Sequence, residues 1–279
     1  MMNHNTVISG TRKAAVRGQF YPYSCAETED QIKQFNISFD KVSIPKEIQN
    51  IMPRAVIVPH AGYIYSGFTA NFAYRFLAQT KIKRLIVIGP SHHHYFKGIS
   101  GSYYEQYETP CGDIPIDSAY LFALAKQFKI GFEPKAHAQE HSTEVQFPFI
   151  KHYLPHTKVI ELIYGDMQAE ELANLILVLL KNSENAVVIS SDLSHFHNLN
   201  EANKLDESCL RAVDKLELEE LKAGCEACGI IGIKAMILAA KKLKLSSKLL
   251  DYRTSADRSG DKSSVVGYMS AMFYKVFKI

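Results

Sequence analysis

No stretch of this chain approaches the ~20 consecutive apolar residues that a membrane-crossing helix needs. Its opening, MMNHNTVISGTRKAAVRG, also lacks a continuous apolar segment of signal-peptide length. Both absences point to a cytoplasmic protein without a membrane partner. Charge of one sign is scarce too: 32 Lys and Arg stand against 29 Asp and Glu, interspersed rather than blocked, for a formal charge of +3. So small an excess argues against a nucleic-acid partner. Cysteine is limited to Cys25, Cys111, Cys209, Cys225 and Cys228. An odd set of five fits free thiols in a reducing compartment better than a disulfide framework. Internal repeats, low-complexity tracts and long linkers are absent, so the 279 residues are read as one domain, with residues 1–10 as a flexible N-terminus.

What is present is a core-forming composition, 47% hydrophobic and 22% charged. A chain of this size buries roughly 75% of its unfolded surface. Strand-length apolar runs alternate with helix-period segments. Residues 54–60, 85–89, 158–164 and 186–191 read as strands; 66–80, 117–128, 142–154, 169–180, 205–221 and 229–243 read as helices. Residues 98–117 read as a hairpin or irregular excursion, and the tail returns to strand character at 249–252 and 265–273. This alternation predicts a single α/β domain: a central, mostly parallel or mixed sheet flanked by helices, with the first ~50 residues packed against it.

Ligands of open α/β sheets bind beyond the carboxyl ends of the strands. Those ends carry Pro59-His60-Ala61-Gly62, Ser91-His92-His93-His94 and Ser190-Ser191-Asp192-Leu193-Ser194-His195. Three strands thus deliver histidine, or histidine with aspartate, to one edge. Of the run His92–His94, only one or two can face a common centre, because successive side chains diverge. A single such histidine is more often hydrogen-bonded or solvated than a ligand, and Asp192 could equally cap a following helix. The fourth piece is GCEACGIIG, residues 224–232, ahead of a helix. Cys225 and Cys228 could be small buried hydrophobes, a Cys-x-x-Cys redox pair, or the source of one thiolate ligand.

Together these residues resemble the Memo family (mediator of ErbB2-driven cell motility), whose bacterial and archaeal members are often labelled AmmeMemoRadiSam system protein B. The matching segments are Val16-Arg-Gly-Gln-Phe-Tyr-Pro22, Pro59-His-Ala-Gly-Tyr-Ile-Tyr-Ser-Gly67, Gly89-Pro-Ser-His-His93, Glu140-His-Ser-Thr-Glu144, Ser190-Ser-Asp-Leu-Ser-His195 and Cys228-Gly229. They span nearly the whole chain. The resemblance implies a fold like that of class III, non-haem iron extradiol dioxygenases, with His60, His92 and Cys228 as metal ligands. It places Asp192 and His195 as a pocket pair and His141 beside them. Those dioxygenases hold iron with two histidines and a carboxylate. A thiolate as third ligand is softer and more hospitable to copper, so iron or copper is expected ahead of zinc.

Two functions follow from this reading. The first is a metal-dependent, dioxygenase-like oxidoreductase acting on an unknown small molecule. In it His195 exchanges protons, Asp192 orients that ring or accepts a proton, and His141 hydrogen-bonds a bound anion or oxygen species. The alternative is a binding or scaffold protein that recognises a peptide or small ligand in the same pocket. The resemblance implies this too, since animal members are linked to signalling through phosphorylated-tyrosine receptor segments. A phosphate reader needs arginines facing the pocket, and the motif segments are nearly free of them. A third, weaker reading makes Cys228 a hydrolase nucleophile paired with a histidine. The bacterial label further implies functional association with a radical-SAM protein.

Overall fold

The main sheet is built from β1 (Ala55–Val58), β2 (Arg84–Pro90), β3 (Ile99–Gly101), β4 (Lys158–Tyr164), β5 (Asn185–Ser190), β6 (His195–His197), β7 (Ser246–Thr254) and β8 (Val265–Tyr274). The computed structural model describes residues 10–102 and 104–276; the expected flexible N-terminus lies outside them apart from Gly10. The spatial order is β7-β8-β1-β5-β2-β4-β3, with β6 paired to the start of β8. The inner strands β1, β5, β2 and β4 run parallel. The outer pairings, β3 on β4, β8 on β1 and β7 on β8, are antiparallel. This is the expected mixed sheet of a single α/β domain.

Why the inner strands read as unbroken apolar runs is now plain, because both faces are covered. On one face Ile57, Ile86, Ile88, Leu162, Val187 and Ile189 pack with Leu172 and Ile176 of α4 (Ala169–Lys181) and Ile233 and Met236 of α6 (Ile230–Leu243). The alternate residues Val56, Val58, Leu85, Val87 and Val188 face α2 (Tyr63–Leu77) through Phe72, Tyr74 and Phe76, together with Ile32 of α1 (Cys25–Phe39). The other long helices are α3 (Ser118–Phe128) and α5 (Leu199–Lys215). Residues 98–117 form β3 and part of a small second sheet, in which Gln106–Tyr107 lies between Thr11–Arg12 and Ile114–Pro115.

Three expectations need correction. The helix anticipated over 142–154 is two short helices, His141–Glu144 and Phe147–Tyr153. Pro148 sits in the first turn of the second one, where its missing N–H costs nothing. Helix α5 begins at Leu199, six residues earlier than its periodicity suggested. Asn198 caps it through the Glu201 N–H, and Leu216 ends it in the left-handed region. The cysteines are not all free thiols. Cys25 pairs with Cys111 and Cys209 with Cys225, leaving Cys228 as the free thiol among the described residues. An odd count forbids complete pairing but says nothing about partners 86 and 16 residues apart in sequence. With Cys225 taken by Cys209, the Cys225–Cys228 redox pair is absent.

The N-terminal segment is clamped to the α/β body as expected. Arg12 and Glu144, both buried, form an ion pair. Glu144 also accepts the N–H groups of Ala15 and Val16 and the Tyr21 hydroxyl. A buried pair of this kind is retained only when its remaining hydrogen-bonding capacity is filled. Here Arg12 also donates to the His137 and Glu140 carbonyls. Helix α1 then starts with a reciprocal capping box between Ser24 and Glu27. Among the described residues no helix is long and apolar enough to cross a membrane.

Candidate metal centre

The parallel registers bring the strand ends together. Val58 lies opposite Ser190, Ile88 opposite Ile189, and Pro90 opposite Tyr164. The segments that follow, His60, His92 and Asp192, therefore emerge at one edge, and the start of α6 brings Cys228 to the same place. Ligand atoms of His60, His92 and Cys228 lie within 4.8 Å of one another, a group that can hold a metal ion. The Cys228 Sγ is 3.4 Å from His60 Nε2.

Each histidine is fixed by its other nitrogen. The Ser190 hydroxyl donates to the Ser142 carbonyl, so its oxygen accepts from His60 Nδ1 at 3.0 Å. This leaves the Nε2 lone pair of His60 directed at Cys228. The Glu140 carboxylate receives His92 Nδ1 at 2.8 Å, the His92 N–H at 2.6 Å and the Ser142 N–H at 2.9 Å. Burial works against ionisation of Glu140, but the hydrogen bonds from His92 and the Ser142 N–H prevail and hold it at about 2. An ionised carboxylate only accepts, so His92 Nδ1 carries the proton and its Nε2 is free. A carboxylate or hydroxyl behind a histidine is the usual way a ligand's tautomer and orientation are set.

The donors also fit a cation electrostatically. Burial, then the nearby Asp192 carboxyl, pushes the Cys228 thiol up to about 12, so without a positive charge it keeps its proton. Burial, then His92, pulls His60 down to about 3, so it is neutral and able to donate a lone pair. A bound metal ion would take the place of the thiol proton, since coordination deprotonates a thiol outright. Two glycines permit the approach. A Cβ on Gly229 would lie 2.5 Å from Ser191 Cβ, and one on Gly89 would lie 2.6 Å from Ser142 Oγ. Gly229 further donates its N–H to Ser191 Oγ, fixing the backbone next to Cys228.

The remaining sequence candidates surround this group. Asp192 is buried and accepts the His60 N–H at 2.7 Å; burial raises its carboxyl above the usual range, opposed by the His60 and Ala61 N–H groups. It caps no helix. His141 stands with its ring 4.6 Å from that of His92 and 5.4 Å from that of His60. Burial, then these two rings, lowers it to about 4. His195 lies on β6, opposite Val266, within electrostatic reach of His60 and Asp192. The run after β2 separates as side-chain divergence requires: His93 is exposed with its ring 5.6 Å from that of His141, and His94 lies against Phe96.

Sequence reasoning gave no role to Glu140 or Ser190, although both stand in quoted motifs. The signal available was the segment Glu140–Glu144 itself, where every residue has a task and all but His141 are buried. Glu140 holds His92, and His141 joins the group. Ser142 ties Pro90 through its hydroxyl, Thr143 bonds Glu161, and Glu144 anchors the N-terminal segment.

The chain matches the family described as Memo-like protein over residues 12–272. A MEMO1 family protein of Nitrosopumilus maritimus is 31% identical over 274 residues, covering 94% of this chain and 99% of that one. Those of Aquifex aeolicus and Methanobrevibacter smithii are 33% and 34% identical, covering 94% of this chain and 98% and 99% of their own lengths. A crystal structure of an uncharacterized Escherichia coli K12 protein superposes with a TM-score of 0.53, covering 79% of this chain and 99% of that one; at 13% identity this is a likeness of fold. A match across nearly the whole length, by family and by individual relatives, makes this chain a member of the Memo-like family.

Proposed function

We propose that this protein binds a redox-active transition metal, iron or copper ahead of zinc, through His60, His92 and Cys228, and acts as a dioxygenase-like oxidoreductase on a small molecule. The observation that carries this reading is the pairing of two tautomer-fixed histidines with a lone half-buried thiol. Such an N/N/S donor set, left open to further ligands, supplies Lewis acidity and single-electron chemistry once loaded.

The protein's own groups then divide the remaining work. His141, neutral above about pH 4, accepts or donates a hydrogen bond without adding charge. Asp192 holds the backbone that carries His60, and its raised carboxyl suits it to take up and return a proton. His195, on the exposed side of this pair, is assigned the exchange of that proton with solvent.

The decisive experiment is elemental analysis of anaerobically purified protein, wild type beside Cys228→Ser and His60→Ala. Stoichiometric iron or copper that is lost in both variants, with the fold retained by circular dichroism, supports the reading. Unchanged metal content in both variants refutes the ligand assignment.

A second reading, recognition of a peptide or small ligand, is favoured by one feature. A groove of about 900 Å³ runs past Phe20, whose ring is 5.0 Å from that of His141, and is lined also by Tyr65, Arg253 and Arg258. The arginines missing from the motifs are thus supplied by a distant part of the chain. Binding of phosphotyrosine by metal-free protein, lost in Arg258→Ala, would favour this reading over the first.

A further inference from the structure

Four non-glycine residues among those described have positive φ. Lys129, Leu216 and Lys244 close helices α3, α5 and α6, an ordinary place for the left-handed conformation. Phe196, at φ 64°, closes nothing. It lies between His195 and His197 on β6, and His195 and His197 pair with the adjacent residues Val266 and Val265. Two steps on β6 therefore match one on β8, so Phe196 is the extra, bulged residue. Bulges re-aim side chains and collect beside active sites. A Cβ-bearing aromatic is disfavoured in this region of backbone space.

Its side chain is no better placed for stability. At 79% exposure it is the most exposed large apolar side chain among the described residues. Its ring lies 5.7 Å from that of His195, which is within electrostatic reach of His60 and Asp192. Backbone strain and an unburied aromatic both work against folding, and glycine at this position would remove both. The two penalties coincide at one residue, the immediate neighbour of His195.

We infer that Phe196 is a specificity-determining residue: the bulge holds its ring at the mouth of the centre to pack against an apolar arm of the molecule that binds the metal. This rests on the metal-binding reading above. It extends that reading by stating a property of the ligand, an apolar group beyond its metal-binding end, and by naming the side chain that selects it.

The test uses cobalt(II)-loaded protein under anaerobic conditions and a pair of probes, imidazole and 4-phenylimidazole, which share a metal-binding end and differ in an apolar arm. Wild type, Phe196→Gly and Phe196→Tyr are compared by titrating the cobalt absorption. Wild type is expected to prefer 4-phenylimidazole by about tenfold, the scale of one aromatic contact plus the area it buries. Phe196→Gly should reduce that preference to about threefold or less, with cobalt content and imidazole affinity unchanged, and Phe196→Tyr should restore it. The glycine variant should also unfold at an equal or higher temperature, by up to about 3 °C, because the strain is gone. An unchanged phenyl preference with cobalt bound, or a clear loss of heat stability, would overturn this inference alone. Absence of cobalt uptake by wild type would overturn the metal-binding reading and this inference with it.

Discussion

Replacing Glu140 by glutamine tests the wiring behind His92. The carboxylate accepts three bonds: the His92 N–H at one oxygen, and His92 Nδ1 and the Ser142 N–H at the other. Glutamine keeps the shape but puts an NH2 group where one oxygen was, so a donor must face a donor. The fall of the Glu140 carboxyl from 4.5 to about 2 corresponds to roughly 3 kcal/mol favouring its ionised form. Part of that is lost with the charge, and the His92 ring is freed to turn. We expect Glu140→Gln to weaken metal binding about ten- to a hundred-fold, the usual effect of removing a ligand's hydrogen-bonding partner. Chelator competition at neutral pH measures it. Because the native carboxyl is depressed, its contribution to stability is complete above about pH 4.5 and disappears as the pH falls through about 2. Wild-type stability should therefore decline across that window more steeply than that of the variant. Metal affinity within threefold of wild type would refute the claim that Glu140 orients His92.

Other outcomes follow from the same geometry. Arg12→Ala leaves Glu144 charged and buried without its partner, and should cost about 3–5 kcal/mol in urea unfolding. Gly229→Ala drives a methyl onto Ser191 and moves Cys228, costing about 1–3 kcal/mol and most of the metal affinity; wild-type affinity would contradict the close approach. Burial raises the Glu161 carboxyl to about 8. A raised carboxyl adds stability below its unfolded value, and that stability is lost as the pH rises through the folded one. Between about pH 4.5 and 8, wild type should lose stability that Glu161→Gln retains, measured by urea midpoints across that range.

The parallel centre of the sheet was legible in the sequence because strands covered on both faces are simple apolar runs, and their ends named His60, His92, Asp192 and His195 in advance. The geometry brings these together with Cys228 and His141. What sequence could not supply was the wiring between segments distant along the chain. Glu140 meets His92 across 48 residues, and Ser190 meets His60 across 130. Nothing in the local pattern encodes either pairing. The disulfides were missed for a related reason, since parity constrains the number of thiols but not their proximity. The helix expected over 142–154 failed locally, where buried polar side chains and Pro148 override an apolar period.

The three donor atoms come from residues 60, 92 and 228, so the group exists only when the whole sheet has closed. An ion held there has no comparable site on the unfolded chain, and its binding free energy becomes folding free energy. At a thousand times its dissociation constant it adds about 4 kcal/mol to the native state. The protein's lifetime would then follow metal supply: a starved cell would hold a chain that opens more often and is degraded sooner. Abundance itself would serve as a readout of loading before any reaction is assayed.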